Sequence, residues 1–214
     1  MPEKPDLRIE ELFWDAGITR LAGLDEAGRG AWAGPVAAAA VVLPPDPCLR
    51  QRLSGVRDSK QMTPRQRRLW AEEIHGVALA WGVGLASSTE IDACGILAAT
   101  RLAMTRALEQ LGICPDHLLL DALLLAEPGC DQTALIRGDA QSLSIAAASV
   151  LAKTSRDAWM CDLEGDYPGY AFARHKGYGT SLHRQALECI GPCPAHRFSS
   201  APVAAIAATP QAAG

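Results

Sequence analysis

The sequence predicts an α/β domain in which a sheet is covered by helices. Three observations predict it. Short apolar runs of strand length alternate with longer stretches whose apolar residues recur at helical spacing. The first two strand-like runs, Leu21 to Leu24 and Val36 to Leu43, are near neighbours in the chain. A chain of 214 residues is also long enough for one domain with a three-layer core. Hydrophobic content of 49% and charged content of 21% are those of an ordinary globular protein and set general disorder aside.

The elements follow in order. Leu7 to Gly17 carries a weak helical pattern and reads as a capping helix. The runs Leu21 to Leu24 and Val36 to Leu43 are strands, joined by a tight connection, and Pro44 and Pro45 close the second. Pro44 to Ser54 is a polar connection. Thr63 is a natural N-cap with Pro64 at the first helical position, ahead of a basic helix over Arg65 to His75. Val77 to Ala86 has strand length, Ser88 to Glu90 opens a helix, and Leu97 to Leu111 is a core-facing helix. Pro115 and Asp116 precede the apolar run His117 to Leu125, and Ala134 to Ile136 leads into Arg137, Gly138, Asp139 and Ala140. A helix of small residues runs from Ser142 to Met160, able to pack closely on a sheet. Ser181 to Ile190 is a last short helix, the ordered chain ends at Phe198, and the alanine-rich tail that follows is expected to be mobile.

Several function classes are excluded early. No apolar run approaches the roughly 20 residues that span a bilayer. The charged start MPEKPDLRIEELFWDAG is unlike a signal peptide, so a cytoplasmic protein without membrane association is expected. Seven cysteines, scattered from Cys48 to Cys193, lack the spacing of a zinc knuckle and read as reduced thiols. A net charge of −4 argues against a nucleic-acid coat protein but permits a local basic groove.

The chemistry concentrates in LDEAGRGAWAGPV. Asp25 and Glu26 are sequence neighbours at the end of an apolar strand, so on an extended chain their side chains leave opposite faces. Gly28, Arg29 and Gly30 follow, where glycine lets the backbone approach a ligand and the guanidinium grips an anion. Carboxylates for a cation and an arginine for a phosphate point to a metal-dependent site acting on a phosphate ester; the alternative is a solvated acidic turn. Asp121 interrupts a buried run, which is costly unless it meets a cation or donor. Asp139 lies just before the small-residue helix, either as a ligand or as that helix's N-cap. The arginines of the Arg65 helix can be a solvated face, and Asp58 with Lys60 a surface ion pair. Lys153, Arg156 and Asp157 lie together near the end of the small-residue helix. His175, Lys176, Gly177, Tyr178 and Gly179 form a basic, glycine-flanked aromatic element that suits a ribose or base platform, or is an ordinary turn.

Taken together, five separated blocks resemble ribonuclease HII, the type 2 ribonuclease H family: LDEAGRGAWAGPV, RDSKQMTP, LLLDALLL, IRGDAQSLSIAAASVLAKTSRD and HKGYGT, in the expected order from about Leu21 to Phe198. The resemblance implies an RNase H-like mixed sheet flanked by helices, with a helical C-terminal extension. It divides the chain into a capping segment (1–20), a catalytic domain (21–160), a helical substrate-binding region (161–200) and a flexible tail (201–214). It implies that Asp25, Glu26, Asp121 and Asp139 are the catalytic metal ligands for two divalent ions, Mn²⁺ or Mg²⁺, which suit oxygen donors. The implied substrates are RNA–DNA hybrids and DNA duplexes containing ribonucleotides, cut to 5′-phosphate and 3′-hydroxyl ends by a monomer with a role in replication and repair. Gly28, Arg29, Gly30 and Tyr178 are implied to read the ribose 2′-hydroxyl at an RNA-to-DNA junction, and Lys60, Lys153 and Lys176 to contact phosphates. The chain departs from the family pattern at Ala31, Trp32, Ala122, Arg137 and Gln141; losing a lysine at Gln141 removes a phosphate-attracting charge. Two competitors are a non-catalytic nucleic-acid-binding module, with the acids as caps and turns, and a different RNase H-like nuclease or phosphotransfer protein.

Overall fold

The apolar runs form one five-stranded sheet, and the helical patterns supply the layers on its two faces. The structure is a computed structural model and describes residues 4–208. Helix α1 (Arg8–Asp15) precedes strands β1 (Leu21–Ala27) and β2 (Val36–Val42). A short helix α2 (Leu49–Arg52), a 3₁₀ turn (Ser59–Gln61) and helix α3 (Pro64–Val77) lead to strand β3 (Ala80–Ala86). Helices α4 (Ser88–Cys94) and α5 (Ile96–Glu109) follow, then strands β4 (His117–Asp121) and β5 (Asp131–Leu135). After a 3₁₀ turn (Gly138–Ala140), α6 (Leu143–Asp166) crosses the molecule, and α7 (Phe172–His175), α8 (Ser181–Ile190) and α9 (Ala201–Ala207) complete the described chain.

The strand order is β3-β2-β1-β4-β5. The pairs β1/β2 and β2/β3 are antiparallel, while β1/β4 and β4/β5 are parallel. The sheet is mixed because β1 to β2 is a tight return, whereas reaching β4 requires a crossover through α5. Strands β1 and β2 are sandwiched, and alternation sends their side chains to two separate cores. Ala27, Ala39 and Val41 pack with Ala146 to Ala152 of α6 and with Ala71 and Ile74 of α3. Ala22, Leu24, Ala38 and Ala40 pack with Ala99, Ala103, Met104 and Ala107 of α5.

Small residues set the spacing of the α6 layer. A Cβ at Gly23 would lie 2.3 Å from the Ser144 carbonyl carbon, so any side chain there drives α6 off the sheet. The N-terminus of α6 is held from the other side by α1. Glu10, 1% exposed, accepts hydrogen bonds from Ser142 Oγ (2.6 Å), Ser144 N (2.8 Å) and Ser144 Oγ (2.7 Å). A carboxylate at a helix N-terminus also meets the favourable end of the helix dipole. The expected capping helix thus acts through one acid seated on α6.

Several expectations change in the structure. Strand β1 continues through Asp25 and Glu26 to Ala27, because pairing to β2 reaches Ala27 and Ala37. The run His117 to Leu125 ends as a strand at Asp121, where Ala122 turns to a positive φ of 59°. Helix α6 extends six residues beyond Met160, where the helical pattern read from the sequence stops. The tail expected to be flexible from residue 201 is helical over Ala201–Ala207, since Val203 buries completely against Phe172 and Leu187; residues 209–214 lie outside the described residues.

Candidate active site

The acids gather where the parallel pairing of β1 with β4 ends. Leu24 pairs with Leu120, so Asp25 and Asp121 are the next residues of adjacent strands. The ends of parallel strands are where a sheet opens to ligands. Asp25 is 6% exposed and accepts from the Glu26 N–H at 2.8 Å. Asp121 Oδ1 accepts from Gly138 N at 2.9 Å, which fastens the end of β4 to the turn that carries Asp139. Arg137 reaches that turn through a left-handed φ of 56°. Asp139 is 8% exposed and does not cap α6; Ser142 does, its Oγ accepting from Ile145 N at 3.2 Å.

These carboxylates are electrostatically costly, as buried like charges must be. Burial pushes Asp25 well above the ordinary aspartate range and the neighbouring Glu26 pushes it further, against hydrogen bonds from Ser149 and the Glu26 N–H. Burial raises Glu26, opposed by Arg29, whose Nη1 lies 3.0 Å from Glu26 Oε1. Burial raises Asp139, helped by the charges of Asp58 and Asp121. Burial disfavours the charge on Lys60, yet Asp58, Asp25, Asp139 and Asp121 outweigh it and hold Lys60 above the usual lysine value. Lys60 is therefore a member of the acidic cluster, and Asp58 accepts from the Lys60 backbone N–H at 2.9 Å instead of forming the expected side-chain ion pair.

A pocket of about 300 Å³ opens beside this cluster, lined by Glu26, the Gly28-Arg29-Gly30 turn, Ser59, Lys60, Lys153 and Tyr178. Of the residues expected to bind substrate, only Lys176 is missing from it. Its Nζ donates to Ala173 O (2.5 Å) and meets Cys161 Sγ at 2.9 Å, in a neighbouring groove of about 280 Å³ with Arg67, Arg68 and Arg174. Arg67 is not part of a solvated face, since it pairs with Asp157 at 3.0 Å and donates to Met62 O. Lys153 pairs with the same Asp157 at 2.6 Å and lies 5.2 Å from the Tyr178 ring centre.

The donor set suits a hard divalent cation, all carboxylate oxygen with one orphan: Glu26 Oε2 is buried without a hydrogen-bond partner. Glu26 turns its other oxygen to Arg29, Asp121 turns to Gly138, and among the described residues no three His, Cys, Asp or Glu side chains form a ready-made ring. The acids are thus neighbours whose side chains are held apart by local partners. Residue-by-residue reading missed Ser149, whose hydroxyl is 2.9 Å from Ser59 Oγ and which bonds Asp25. The signal was present in the spacing, because Ser149, Lys153, Arg156 and Met160 fall three or four apart and share one stripe of α6.

The family model described as ribonuclease HII matches residues 22–201, which include the four candidate acids, the arginine turn and Tyr178. The chain belongs to the ribonuclease HII family. The ribonuclease HII of Synechococcus sp. (strain JA-3-3Ab) is 55% identical over 202 residues, 94% of this chain and 90% of that protein. Among solved structures, ribonuclease H2 from Pyrococcus horikoshii OT3 superposes with a TM-score of 0.72 at 25% identity, covering 87% of this chain and 96% of that one. Bst-RNase HIII, solved in complex with Mn²⁺, shares the fold with a TM-score of 0.67 at 17% identity, over 88% and 70% of the two chains. As a ribonuclease HII, the chain is a type 2 ribonuclease H, an endonuclease of RNA–DNA hybrids, in a family that uses divalent metals. The reading as a non-catalytic module is set aside. Its sheet, flanking helices and C-terminal helices are those of the family's solved structures. All seven cysteines are free, and no helix among the described residues is long and apolar enough to cross a membrane.

Proposed function

We propose that this chain hydrolyses the phosphodiester on the 5′ side of ribonucleotides embedded in duplex DNA, as well as the RNA strand of hybrids, leaving 5′-phosphate and 3′-hydroxyl ends. The observation that carries this reading is the single pocket in which an acid, a basic glycine turn and an aromatic ring converge: Glu26, Gly28 to Gly30, Lys60 and Tyr178. Asp25, Glu26, Asp121 and Asp139 would hold two divalent ions, Mg²⁺ or the Mn²⁺ found with Bst-RNase HIII. Held by these four carboxylates, such ions would supply a lowered pKa for an attacking water and charge stabilisation for the departing 3′ oxygen.

The chain's own residues hold the strand in line. The Lys60 ammonium, kept protonated by four acids, meets a phosphate while remaining tied to the cluster. Backbone groups of Gly28 and Gly30 approach the ribose edge, Arg29 takes a flanking phosphate, and the Tyr178 ring stacks on the deoxyribose that follows. Lys153 and Lys176 serve phosphates further along. Residues 21–160 act as the catalytic unit and 161–200 as the substrate side, in a cytoplasmic monomer that removes ribonucleotides during replication and repair.

The test is a duplex carrying one ribonucleotide, incubated with Mg²⁺, with Mn²⁺ and with excess chelator. Cleavage on the 5′ side of the ribonucleotide in both metals, abolished by chelator, is expected; undiminished cleavage in chelator sinks the two-ion assignment.

A further inference from the structure

Arg156 is completely buried on α6, and its three hydrogen bonds all go to carbonyl oxygens. Its Nε donates to Pro35 O at 2.8 Å and Nη2 to Ala33 O at 3.2 Å, both in the segment after the Gly28-Arg29-Gly30 turn. Nη1 donates to Lys176 O at 2.9 Å, two residues before Tyr178, and the guanidinium carbon lies 5.3 Å from the Tyr178 ring centre. A Cβ at Gly28 would fall 1.9 Å from Arg156 Nε, so the Gly28 backbone rests on this side chain. One planar fork therefore touches both segments that flank the pocket. Neither an apolar residue nor a lysine, whose three N–H donors share one nitrogen, spans three fixed carbonyls in this way.

We propose that Arg156 is a positioning residue that sets the separation between the Gly28–Gly30 turn and Tyr178, and so determines how strongly the site prefers an RNA-to-DNA junction. This rests on the ribose-reading role proposed above for those two segments. Arg197 provides the control. It is 2% exposed and also donates to three carbonyls, Gly34 O (2.9 Å), Arg29 O (2.9 Å) and Pro35 O (3.0 Å), but none of these bonds reaches the turn that carries Tyr178. A purely structural role makes the two arginines equivalent; a spacing role makes them different.

The experiment measures kcat and KM for wild type, Arg156→Gln, Arg156→Lys and Arg197→Gln on two substrates, a duplex with one embedded ribonucleotide and an all-RNA strand hybridised to DNA. Melting temperatures identify the folded variants. If Arg156→Gln does not fold, Arg156→Lys, which keeps the charge and nearly the length, carries the test. The junction-to-hybrid ratio of kcat/KM should fall on the order of tenfold in the Arg156 variants, mainly through kcat on the junction, because a small misplacement of a positioned group is costly. Arg197→Gln loosens the turn at Arg29 but leaves the Lys176 side in place, so it should shift the ratio less than the Arg156 variants do. An unchanged ratio in a folded Arg156 variant, or an equal shift in Arg197→Gln, overturns the inference alone. Absence of junction cleavage by wild type overturns the ribose-reading assignment and this inference with it.

Discussion

The acid-bearing end of the sheet and the C-terminal lobe both bury titratable side chains, and they treat them in opposite ways. At the sheet end, burial raises Asp25, Glu26 and Asp139, and Glu26 Oε2 has no partner. In the lobe, three buried histidines satisfy every ring nitrogen. The Cys193 N–H points at His196 Nδ1 (3.0 Å), His196 Nε2 meets His183 Nε2 (3.0 Å), and His183 Nδ1 meets Tyr178 O (3.0 Å). His175 Nδ1 accepts from Gly177 N (3.1 Å) while Nε2 meets Tyr170 O (2.7 Å). One neutral tautomer of each ring completes all of these bonds, an assignment inferred from the network. One region keeps costly buried acids and an unpartnered oxygen; the other removes charge so that a turn stays where it is.

The comparison is sharpened most by altering the acids. Asp25→Asn and Asp139→Asn should each reduce hybrid cleavage by about three orders of magnitude or more, since amides hold Mg²⁺ poorly. Their melting temperatures should not fall, because a costly buried charge has been removed. Activity near wild type in either folded variant contradicts the assigned role. Ala147→Arg, at a fully buried position of α6, should instead destabilise the protein by roughly 3 to 5 kcal/mol through overpacking and an unpaired charge. An unchanged thermal midpoint would show that α6 does not lie against the sheet.

Acid should weaken the fold through the lobe and not through the sheet end, where protonation relieves the raised carboxyls. Burial pushes His183 and His196 down to about 4, so their neutral forms stabilise the fold above the ordinary histidine range. That contribution is lost as pH falls from about 6.5 through about 4 and is on the order of a few kcal/mol. Thermal melts at pH 7, 5.5 and 4 should show the decline, and His196→Asn should flatten it; a flat profile in wild type refutes the neutral network. The smallest effect is expected from Tyr178→Ala, which removes a stacking contact of about 1 to 3 kcal/mol. Cleavage at a single embedded ribonucleotide should fall more than cleavage of an all-RNA hybrid strand, and equal losses on both would remove Tyr178 from junction reading.

The sequence made the sheet end more legible than the lobe, for physical reasons. Strand and cap signals are local, so Val36–Val42 and the Thr63–Pro64 helix start stand where composition places them. An acid in or at the end of an apolar run is conspicuous because its burial is expensive, which marks Asp25, Glu26 and Asp121, while Asp139 is marked only by its place before a small-residue helix. Arg156 and Arg197 carry no comparable mark. Each resembles a surface cation until the 29–35 segment folds over it, and its carbonyl partners have no side-chain identity to read. The helix at Ala201–Ala207 was hidden likewise, since its alanine-rich composition does not reveal that Val203 finds a core.

Helix α6 also fixes a matter of counting. Successive helical residues advance by about 100° and about 1.5 Å, so Ser149, Lys153, Arg156 and Met160 keep one angular phase only while the intervals between them are unaltered. Removing a single residue after Ser149 would swing Arg156 away from Ala33, Pro35 and Lys176 while leaving Asp25 and Ser149 in place. The acid cluster and the proposed junction reader would then be out of step, each intact and neither aligned with the other. Between these positions the chain can change its letters, but not their number.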